Sequence, residues 1–285
     1  MNNNSSFFVE QSANSEVKMK IVLQSFKLWL SSVRIQQSLF YIDLFAGPGV
    51  YDDGTLSTPI CVLQEICADR KLAQKFCIVL NDNNIEYMAK LRHATSNILN
   101  FKYIKSVTTS AHDNSTSNLR PKIPNNAHSF VFLDPFGWKG MNRSYVRELL
   151  RNPNCEIVLL FSFNQFHRFK DFDAVCGLFD DLFDAKTLAK IREFCRMNPG
   201  YKNERFILDT YVKSLTGDIG NCHIIPFKFQ IEISLKTSHY LIFIVRDHQR
   251  ASKLQNILKN HANYKDDILC YSAKCNAIYG QQSLF

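Results

Sequence analysis

The residues best placed for chemistry form the run DLFAGPG at positions 43–49, which joins an acid to a tight turn of small residues. Its two glycines allow backbone N–H groups to approach a ligand that a Cβ would exclude. A dinucleotide-binding turn follows G-x-G-x-x-G, and the third glycine is absent here. A carboxylate beside the loop would repel phosphate, but it suits a ligand with an ammonium, a sulfonium and free hydroxyls. The run therefore favours S-adenosylmethionine, although a strand followed by Gly-Pro-Gly is also typical of an ordinary turn.

Further acids follow later predicted strands. Asp82 comes after the apolar segment 76–80, and Asp134 comes after 129–133. In doubly wound sheets, ligands bind beyond the carboxyl ends of the strands near the switch point. A carboxylate at Asp82 can accept hydrogen bonds from both ribose hydroxyls, or it can cap the helix that we predict from Ile85. The predicted cofactor-binding residues are Asp43, Phe45, Ala46, Gly47, Pro48, Gly49 and Asp82.

A second motif, DPFGW, occupies positions 134–138 at the end of an apolar strand. An acid followed by aromatic rings can hold the amino group of a flat base while a ring stacks on it. Methyl transfer to an amine needs little acid or base, because positioning supplies most of the rate. Core packing is the alternative role for Phe136 and Trp138. The predicted catalytic residues are Asp134, Pro135 and Phe136.

Cations and aromatic rings alternate in QFHRFK at positions 165–170, which we place in a loop after the fifth strand. This alternation suits phosphate contacts and base stacking along a nucleic-acid strand. The predicted substrate-binding residues are Trp138, Phe166, His167 and Arg168. Three arginines, Arg143, Arg147 and Arg151, recur every four residues on a predicted helix. A solvated helix face is the favoured account of that stripe.

The composition is that of a globular protein, with 285 residues, 46% hydrophobic and 21% charged. This length accommodates one large α/β domain, which we assign to residues 1–285. The formal charge of +8 makes nucleic acid the first partner to consider. Nine cysteines without C-x-x-C indicate reduced thiols in a cytoplasmic protein, and no metal site is predicted. The longest apolar run, 157–161, is too short to cross a membrane.

Strand-like and helix-like segments alternate along the chain. The pattern predicts a leading helix at 15–33, a helical insertion at 166–220, and a late pair of strands that reads as a hairpin. Near-continuous apolar strands suit a parallel sheet that is buried on both faces. The predicted fold is therefore an α/β, doubly wound sheet, mostly parallel, with an antiparallel hairpin at its C-terminal end. The predicted strands are 39–45, 76–80, 101–107, 129–133, 155–163, 224–233 and 240–245, and the other helices are 59–67, 85–93 and 252–261.

These motifs resemble those of a known superfamily. The run at 43–49 looks like the cofactor loop of Rossmann-like, S-adenosylmethionine-dependent methyltransferases, and 134–136 looks like their Asp-Pro-Pro-aromatic substrate motif. More closely, the chain resembles the three-Cys-motif partner proteins, a bacterial family of methyltransferase-like proteins encoded beside a three-cysteine-motif protein. The resemblance runs through 18–29, 41–49, 58–59, 134–137 and 240–243 with His248. It implies a Rossmann-like methyltransferase domain, S-adenosylmethionine as cofactor and a three-Cys-motif protein as partner.

The motif departs from the superfamily pattern at one position, because Phe136 stands where the second proline would be. Cofactor binding is therefore better supported than methyl transfer. The favoured function is a methyltransferase that acts on a nucleic-acid amine, and the alternative is a non-catalytic partner that binds a protein or a nucleic acid. The absent third glycine disfavours a nicotinamide oxidoreductase, and the absence of Pro-Cys leaves no nucleophile for covalent attack on cytosine C5.

Overall fold

The structure is a computed structural model, and it describes residues 8–33, 37–112, 123–137, 141–172, 177, 179–198, 200–217, 219–231, 234, 236–265 and 268–273. Strands and helices alternate along most of these ranges. The strands are β1 (Leu39–Asp43), β2 (Phe76–Asn81), β3 (Ser106–Ser110), β4 (His128–Leu133), β5 (Cys155–Phe161), β6 (His223–Gln230), β7 (Thr237–Val245), β8 (Tyr264–Lys265) and β9 (Leu269–Tyr271). The helices are α1 (Ala13–Leu30), α2 (Thr58–Cys67), α3 (Arg70–Ala73), α4 (Ile85–Ser96), α5 (Arg143–Leu150), α6 (Phe163–Phe169), α7 (Ala185–Met197), α8 (Tyr201–Thr216) and α9 (His248–His261).

The strands in the described ranges form one sheet of order β3-β2-β1-β4-β5-β7-β6-β9-β8. The first five strands in this order pair in parallel, whereas β7 runs antiparallel to both β5 and β6. This confirms the predicted doubly wound sheet with an antiparallel hairpin. The chain reverses its direction across the sheet between β1 and β4, which is where such folds bind ligands. Asp43 pairs there with Leu80 of β2 and with Phe132 of β4.

Both faces of the sheet are covered, as the strand composition predicts. All seven residues of β5 are buried, which suits a strand with helices on both sides. On one face the core includes Phe26 of α1 and Leu254 of α9. On the other face it includes Ile191 of α7 and Tyr211 of α8. Helices α7 and α8 lie between β5 and β6 in the chain, within the helical insertion that the sequence predicts.

Several element boundaries differ from the prediction. Helix α1 begins before the predicted residue 15, because the side chain of Ser12 caps it by accepting a hydrogen bond from the backbone N–H of Ser15 at 3.2 Å. The predicted strand at 101–107 is instead a 3₁₀ turn at Phe101–Tyr103 followed by β3. Helix α9 begins earlier than predicted, because the side chain of Asp247 caps it. The sequence did not predict the short strands β8 and β9.

None of the helices in the described part of the chain is both long enough and apolar enough to cross a membrane.

Candidate functional site

A cavity of about 440 Å³ lies beyond the carboxyl ends of β1 and β4. Its volume falls in the range of small-molecule and cofactor sites. The N-terminal half of α1 forms part of the wall of this cavity. Seven of the predicted site residues line this cavity: Asp43, Phe45, Ala46, Gly47, Asp134, Pro135 and Phe136. The structure therefore brings together two motifs that are far apart in the sequence.

The two glycines of the loop are required by side-chain packing. Gly47 and Gly49 have φ angles of +61° and +82°, a left-handed region that disfavours other residues. A Cβ on Gly47 would lie 2.9 Å from Cζ of Phe8, and one on Gly49 would lie 2.6 Å from Cδ1 of Leu91. Gly47 lines the cavity, whereas Gly49 and Pro48 do not. The sequence associated these glycines with ligand binding. In the structure, Gly47 lies against the ring of Phe8, and Gly49 lies against the side chain of Leu91.

Asp82 holds the glycine loop from outside the cavity lining. Its Oδ2 accepts a hydrogen bond from the backbone N–H of Gly47 at 3.0 Å, and its Oδ1 accepts one from Asn84 at 2.9 Å. Burial raises the pKa of this carboxyl. The side chain of Asn84 caps α4 by accepting from Glu86 and Tyr87. The alternative role for Asp82, capping this helix, therefore belongs to Asn84.

Asp43 is fully buried at the end of β1. Its Oδ1 accepts a hydrogen bond from the backbone N–H of Phe45 at 3.1 Å, and its Oδ2 accepts one from the hydroxyl of Tyr41 at 3.3 Å. Burial, together with the charges of Asp134 and Asp82, raises the pKa of Asp43 to about 8. The carboxyl is therefore mostly protonated at neutral pH, and a bound cation would favour its ionised form.

Asp134 forms an ion pair with Lys18 across the cavity. The ammonium of Lys18 donates to Oδ2 of Asp134, and the two side chains are 12% and 21% exposed. Helix α1 is held over the cavity by a second contact, in which Nδ2 of Asn14 donates to the carbonyl of Gln230 at 2.9 Å. Sequence reasoning missed the role of Lys18, because no local pattern links a residue in the leading helix to one 116 positions away.

Aromatic rings surround the mouth of the cavity. The ring of Phe8 lies 5.5 Å from Tyr51, 5.0 Å from Tyr87 and 5.9 Å from Phe136 between centroids. The carbonyl of Phe8 accepts a hydrogen bond from the backbone N–H of Asp52 at 2.8 Å. Phe136 is 52% exposed, so about half of its surface faces solvent at the mouth. Trp138, the other predicted stacking residue, lies outside the described residues.

Three buried polar atoms that belong to cavity-lining residues have no hydrogen-bond partner within the described ranges: Oδ1 of Asn14, Nε2 of His239 and Oγ of Ser57. His239 stacks on Phe229 with centroids 4.7 Å apart. Burial, with a smaller effect of the Lys18 charge, lowers the pKa of His239 to about 3, so the ring is neutral. A buried polar atom without a partner costs about 1–3 kcal/mol. A ligand with donors and acceptors could satisfy all three atoms.

The prediction that Phe166 stacks on a substrate is wrong. Residues 163–169 form helix α6 rather than a loop, and this helix directs Phe166 into the core. The ring is fully buried and lies 5.1 Å from both Phe179 and Phe183. A substrate therefore has no access to it.

The two neighbouring residues, His167 and Arg168, do not line the cavity. His167 stacks on Phe163 with centroids 5.5 Å apart, and the guanidinium of Arg168 lies 5.3 Å from the ring centre of Phe169. From this segment, Asn164 and Gln165 reach the cavity instead. Asn164 and Gln165, which were not predicted, therefore line the site, whereas the predicted residues His167 and Arg168 do not.

The arginine stripe on α5 is mostly engaged within the protein. Arg143 pairs with Asp184 at 3.3 Å, and Arg147 donates to the carbonyl of Ser214 at 3.3 Å. Arg151 is exposed. These contacts tie α5 to the helical insertion and support a structural role for the first two arginines. Within the described ranges, no three His, Cys, Asp or Glu side chains cluster as metal ligands would.

Comparisons with known proteins give structural likeness only. No family model matches the chain, and no curated protein matches its sequence. A solved protein from Legionella pneumophila is similar to it at 11% identity, over 87% of this chain and 92% of that one, with a TM-score of 0.49. The precorrin-6y C5,15-methyltransferase from Geobacter metallireducens shares 14% identity over 84% and 91% of the two chains, with a TM-score of 0.38. The plantazolicin methyltransferase in complex with SAH shares 10% identity over 85% and 89%, with a TM-score of 0.43.

The Rossmann-like fold of this chain rests on the order and direction of its strands rather than on these scores. The five parallel strands, the antiparallel β7 between β5 and β6, and the cavity at the switch point define it.

Proposed function

We propose that the chain binds S-adenosylmethionine in the cavity at the ends of β1 and β4 and transfers its methyl group to an amine of a nucleic acid. The observation that carries this proposal is the convergence of Asp43, the loop at Gly47 and the Asp134-Pro135-Phe136 motif on one cavity of about 440 Å³. A sulfonium ligand suits this cavity, because its charge would favour ionisation of Asp43, the acid that Lys18 does not neutralise. We also propose that the chain is related to the three-Cys-motif partner proteins, which it resembles in sequence.

Each motif has a distinct part in this function. The loop at residues 45–47 contacts the donor, and Asp43 ionises beside the donor's cation. Asp82 supports the donor by fixing Gly47, and its contact with the ribose hydroxyls stays a prediction. Asp134 accepts a hydrogen bond from the acceptor amine, Pro135 shapes the turn, and Phe136 stacks on the base. With S-adenosylmethionine bound, an amine held at Asp134 would take the donor's methyl group, and positioning by these residues would supply most of the rate.

Isothermal titration with S-adenosylmethionine tests the cofactor. We expect wild type to bind, and Asp43→Asn to weaken binding by about tenfold or more, because Asn cannot become an anion beside the donor. Asp53→Asn is the matched control, because Asp53 lies in the same connection but its carboxyl is exposed and accepts from Thr55 at 2.8 Å. Wild type that produces no binding heat, or two variants that bind equally, would contradict the assignment.

Transfer of a radiolabelled methyl group to separated DNA, RNA and protein fractions then tests the acceptor. We expect label in a nucleic-acid fraction, and its loss in Asp134→Asn, which keeps the size of the side chain but not its charge. Label in protein alone would reject the nucleic-acid acceptor while leaving the donor assignment intact.

The second candidate function is a non-catalytic partner that keeps the cofactor fold. Two observations favour it: Phe136 in place of the second proline, and the ion pair in which Lys18 holds Asp134. Donor binding without transfer to any fraction, together with co-purification of a three-cysteine-motif protein encoded next to this chain, would support this candidate over the enzyme.

A further inference from the structure

We propose that Lys18 is an internal occupant of the acceptor subsite, whose ammonium takes the place of the acceptor amine at Asp134 and repels the donor's sulfonium, so that the cavity distinguishes the charged donor from its neutral product. The inference rests on the proposed function and deepens it, because it assigns a specificity-determining residue to the same cavity. It begins from the ion pair between Lys18 and Asp134.

Lys18 is held in position by the helix that carries it. Lys18 lies in the N-terminal half of α1, and Asn14, one turn earlier, is fixed to the carbonyl of Gln230 at 2.9 Å. Helix α1 also packs into the core through Phe26. The ammonium of Lys18 is therefore delivered to Asp134 by an anchored element, and its side chain is only 12% exposed.

The other groups near Lys18 do not compete with Asp134 as the partner of its ammonium. Glu16, the acid nearest to it on α1, pairs with Lys20 instead. His239 also lines the cavity, but it is a buried, neutral ring that supplies no negative charge. Asp43 is the other acid of the lining, and it contributes no charge while it is protonated. Asp134 thus supplies the carboxylate that balances the charge of Lys18.

Lys18 also imitates the acceptor. It is a primary amine that donates an N–H to the same carboxylate that the acceptor amine is proposed to contact. While this pair is intact, Oδ2 of Asp134 is already occupied. An acceptor amine that approaches this oxygen therefore competes with Lys18 for the same position, and it binds there more readily when the pair opens.

The positive charge of the donor can open the pair between Lys18 and Asp134. A sulfonium and an ammonium in one cavity repel each other more than they would in bulk water, because the effective dielectric constant is lower at partly buried sites. Donor binding consequently favours the opened pair, which frees Asp134 for the acceptor. Transfer breaks the S–CH₃ bond with its electrons kept by sulfur, and the acceptor nitrogen forms the new bond and releases a proton to solvent. The product cofactor is neutral, so the pair between Lys18 and Asp134 can form again.

The test compares the affinities of S-adenosylmethionine and S-adenosylhomocysteine by isothermal titration, because the second ligand lacks the charge. We expect Lys18→Met to shift the affinity ratio toward the charged donor by about tenfold. Lys18→Gln, which keeps a hydrogen-bond donor without the charge, should shift the ratio in the same direction, and Lys18→Arg should preserve the wild-type ratio. Lys20→Met removes a solvent-exposed cation from the same helix and should leave the ratio unchanged.

A merely structural role for Lys18 would weaken both ligands together and leave their ratio unchanged. An unchanged ratio in Lys18→Met and Lys18→Gln, or an equal change in Lys20→Met, would overturn the inference. Repeating the titrations at high salt separates the two lysines further, because a partly buried pair is screened less than an exposed one. Wild type that binds neither ligand would instead reject the proposed function itself, which is a distinguishable result.

Discussion

The backbone N–H of Gly47 donates a 3.0 Å hydrogen bond to Oδ2 of Asp82, and the ring of Phe8 lies against the same glycine. The first contact joins the loop after β1 to the end of β2. The second joins that loop to the segment before α1. Position 47 is therefore enclosed by a carboxylate and by an aromatic ring, and it adopts a left-handed backbone. The loop after β1, the end of β2 and the segment before α1 therefore meet at this one residue.

Gly47→Ala is expected to destabilise the protein more than Gly54→Ala does. Both glycines have a left-handed φ, so each substitution includes a backbone cost of about 1–2 kcal/mol. Only at position 47 would the new Cβ meet a neighbour, because Gly54 has open space around it among the described residues. Denaturant unfolding of the two variants measures the excess cost of the contact with Phe8.

The same comparison in a Phe8→Ala background is the control. Without the ring, the two glycine variants should differ from their parent by similar free energies. A difference that persists in this background would mean that Phe8 is not what position 47 accommodates.

Asp43→Asn is expected to raise the free energy of unfolding at neutral pH and to reduce its dependence on pH. The folded-state pKa of Asp43 is about 8, whereas an unfolded Asp has a pKa near about 3.9. Between these values only the folded state retains the proton, so the stability from the buried neutral acid is complete below about pH 4 and is lost as pH rises through about 8. Asn stays neutral throughout this window.

Urea unfolding of wild type and Asp43→Asn at intervals from pH 5 to pH 9 checks this sign. The difference in the free energy of unfolding should grow in favour of Asn as pH rises. A constant difference across this range would indicate that Asp43 is already ionised in the folded protein.

The sequence predicted the parts of the site that depend on strand position. Asp43 and Asp134 follow apolar strands, and parallel strands end at one edge of a sheet, so their convergence could be inferred from the sequence alone. Asp82 is close to the loop for the same reason. Its partner could not be inferred, because the hydrogen bond to Gly47 depends on the path of the loop.

The contributions of α1 and α6 could not be predicted from local patterns. Lys18 and Phe8 reach the cavity because the leading segment lies at the carboxyl ends of β1 and β4, which is a tertiary arrangement. Phe166 was misplaced because alternating cations and rings fit a binding loop and an amphipathic helix equally well. The turn of α6 puts its side chain into the core, and sequence alone does not reveal which face of so short a helix is buried.

Arg147→Ala is expected to destabilise the protein by about 1 kcal/mol, because it removes a hydrogen bond to the carbonyl of Ser214 and packing against Gly217. Arg151→Ala, on the same helix, should change stability by less than about 0.5 kcal/mol, because that side chain is exposed. Thermal and urea unfolding of the pair provides the measurement. If the two substitutions had equal effects, the stripe would be a solvated surface of the helix and its contacts would not stabilise the protein.

Phe136→Ala and Phe166→Ala are expected to have opposite consequences for stability and for function. Phe166 is fully buried between Phe179 and Phe183, so its truncation should cost about 3–5 kcal/mol. Phe136 is 52% exposed at the cavity mouth, and its truncation should cost less than about 1 kcal/mol. The proposed stacking on a base predicts that Phe136→Ala lowers methyl transfer to nucleic acid by about tenfold.

Phe136→Leu separates stacking from hydrophobic contact, since leucine keeps apolar surface at the mouth but has no flat ring. Activity lost in both Phe136 variants, with S-adenosylmethionine affinity unchanged, would support stacking of the acceptor. Full activity in Phe136→Leu would show that the ring only shields the cavity from water. Loss of donor affinity in either variant would place Phe136 at the cofactor instead, because the donor and the acceptor share this mouth and Phe136 lies against Phe8, which covers Gly47.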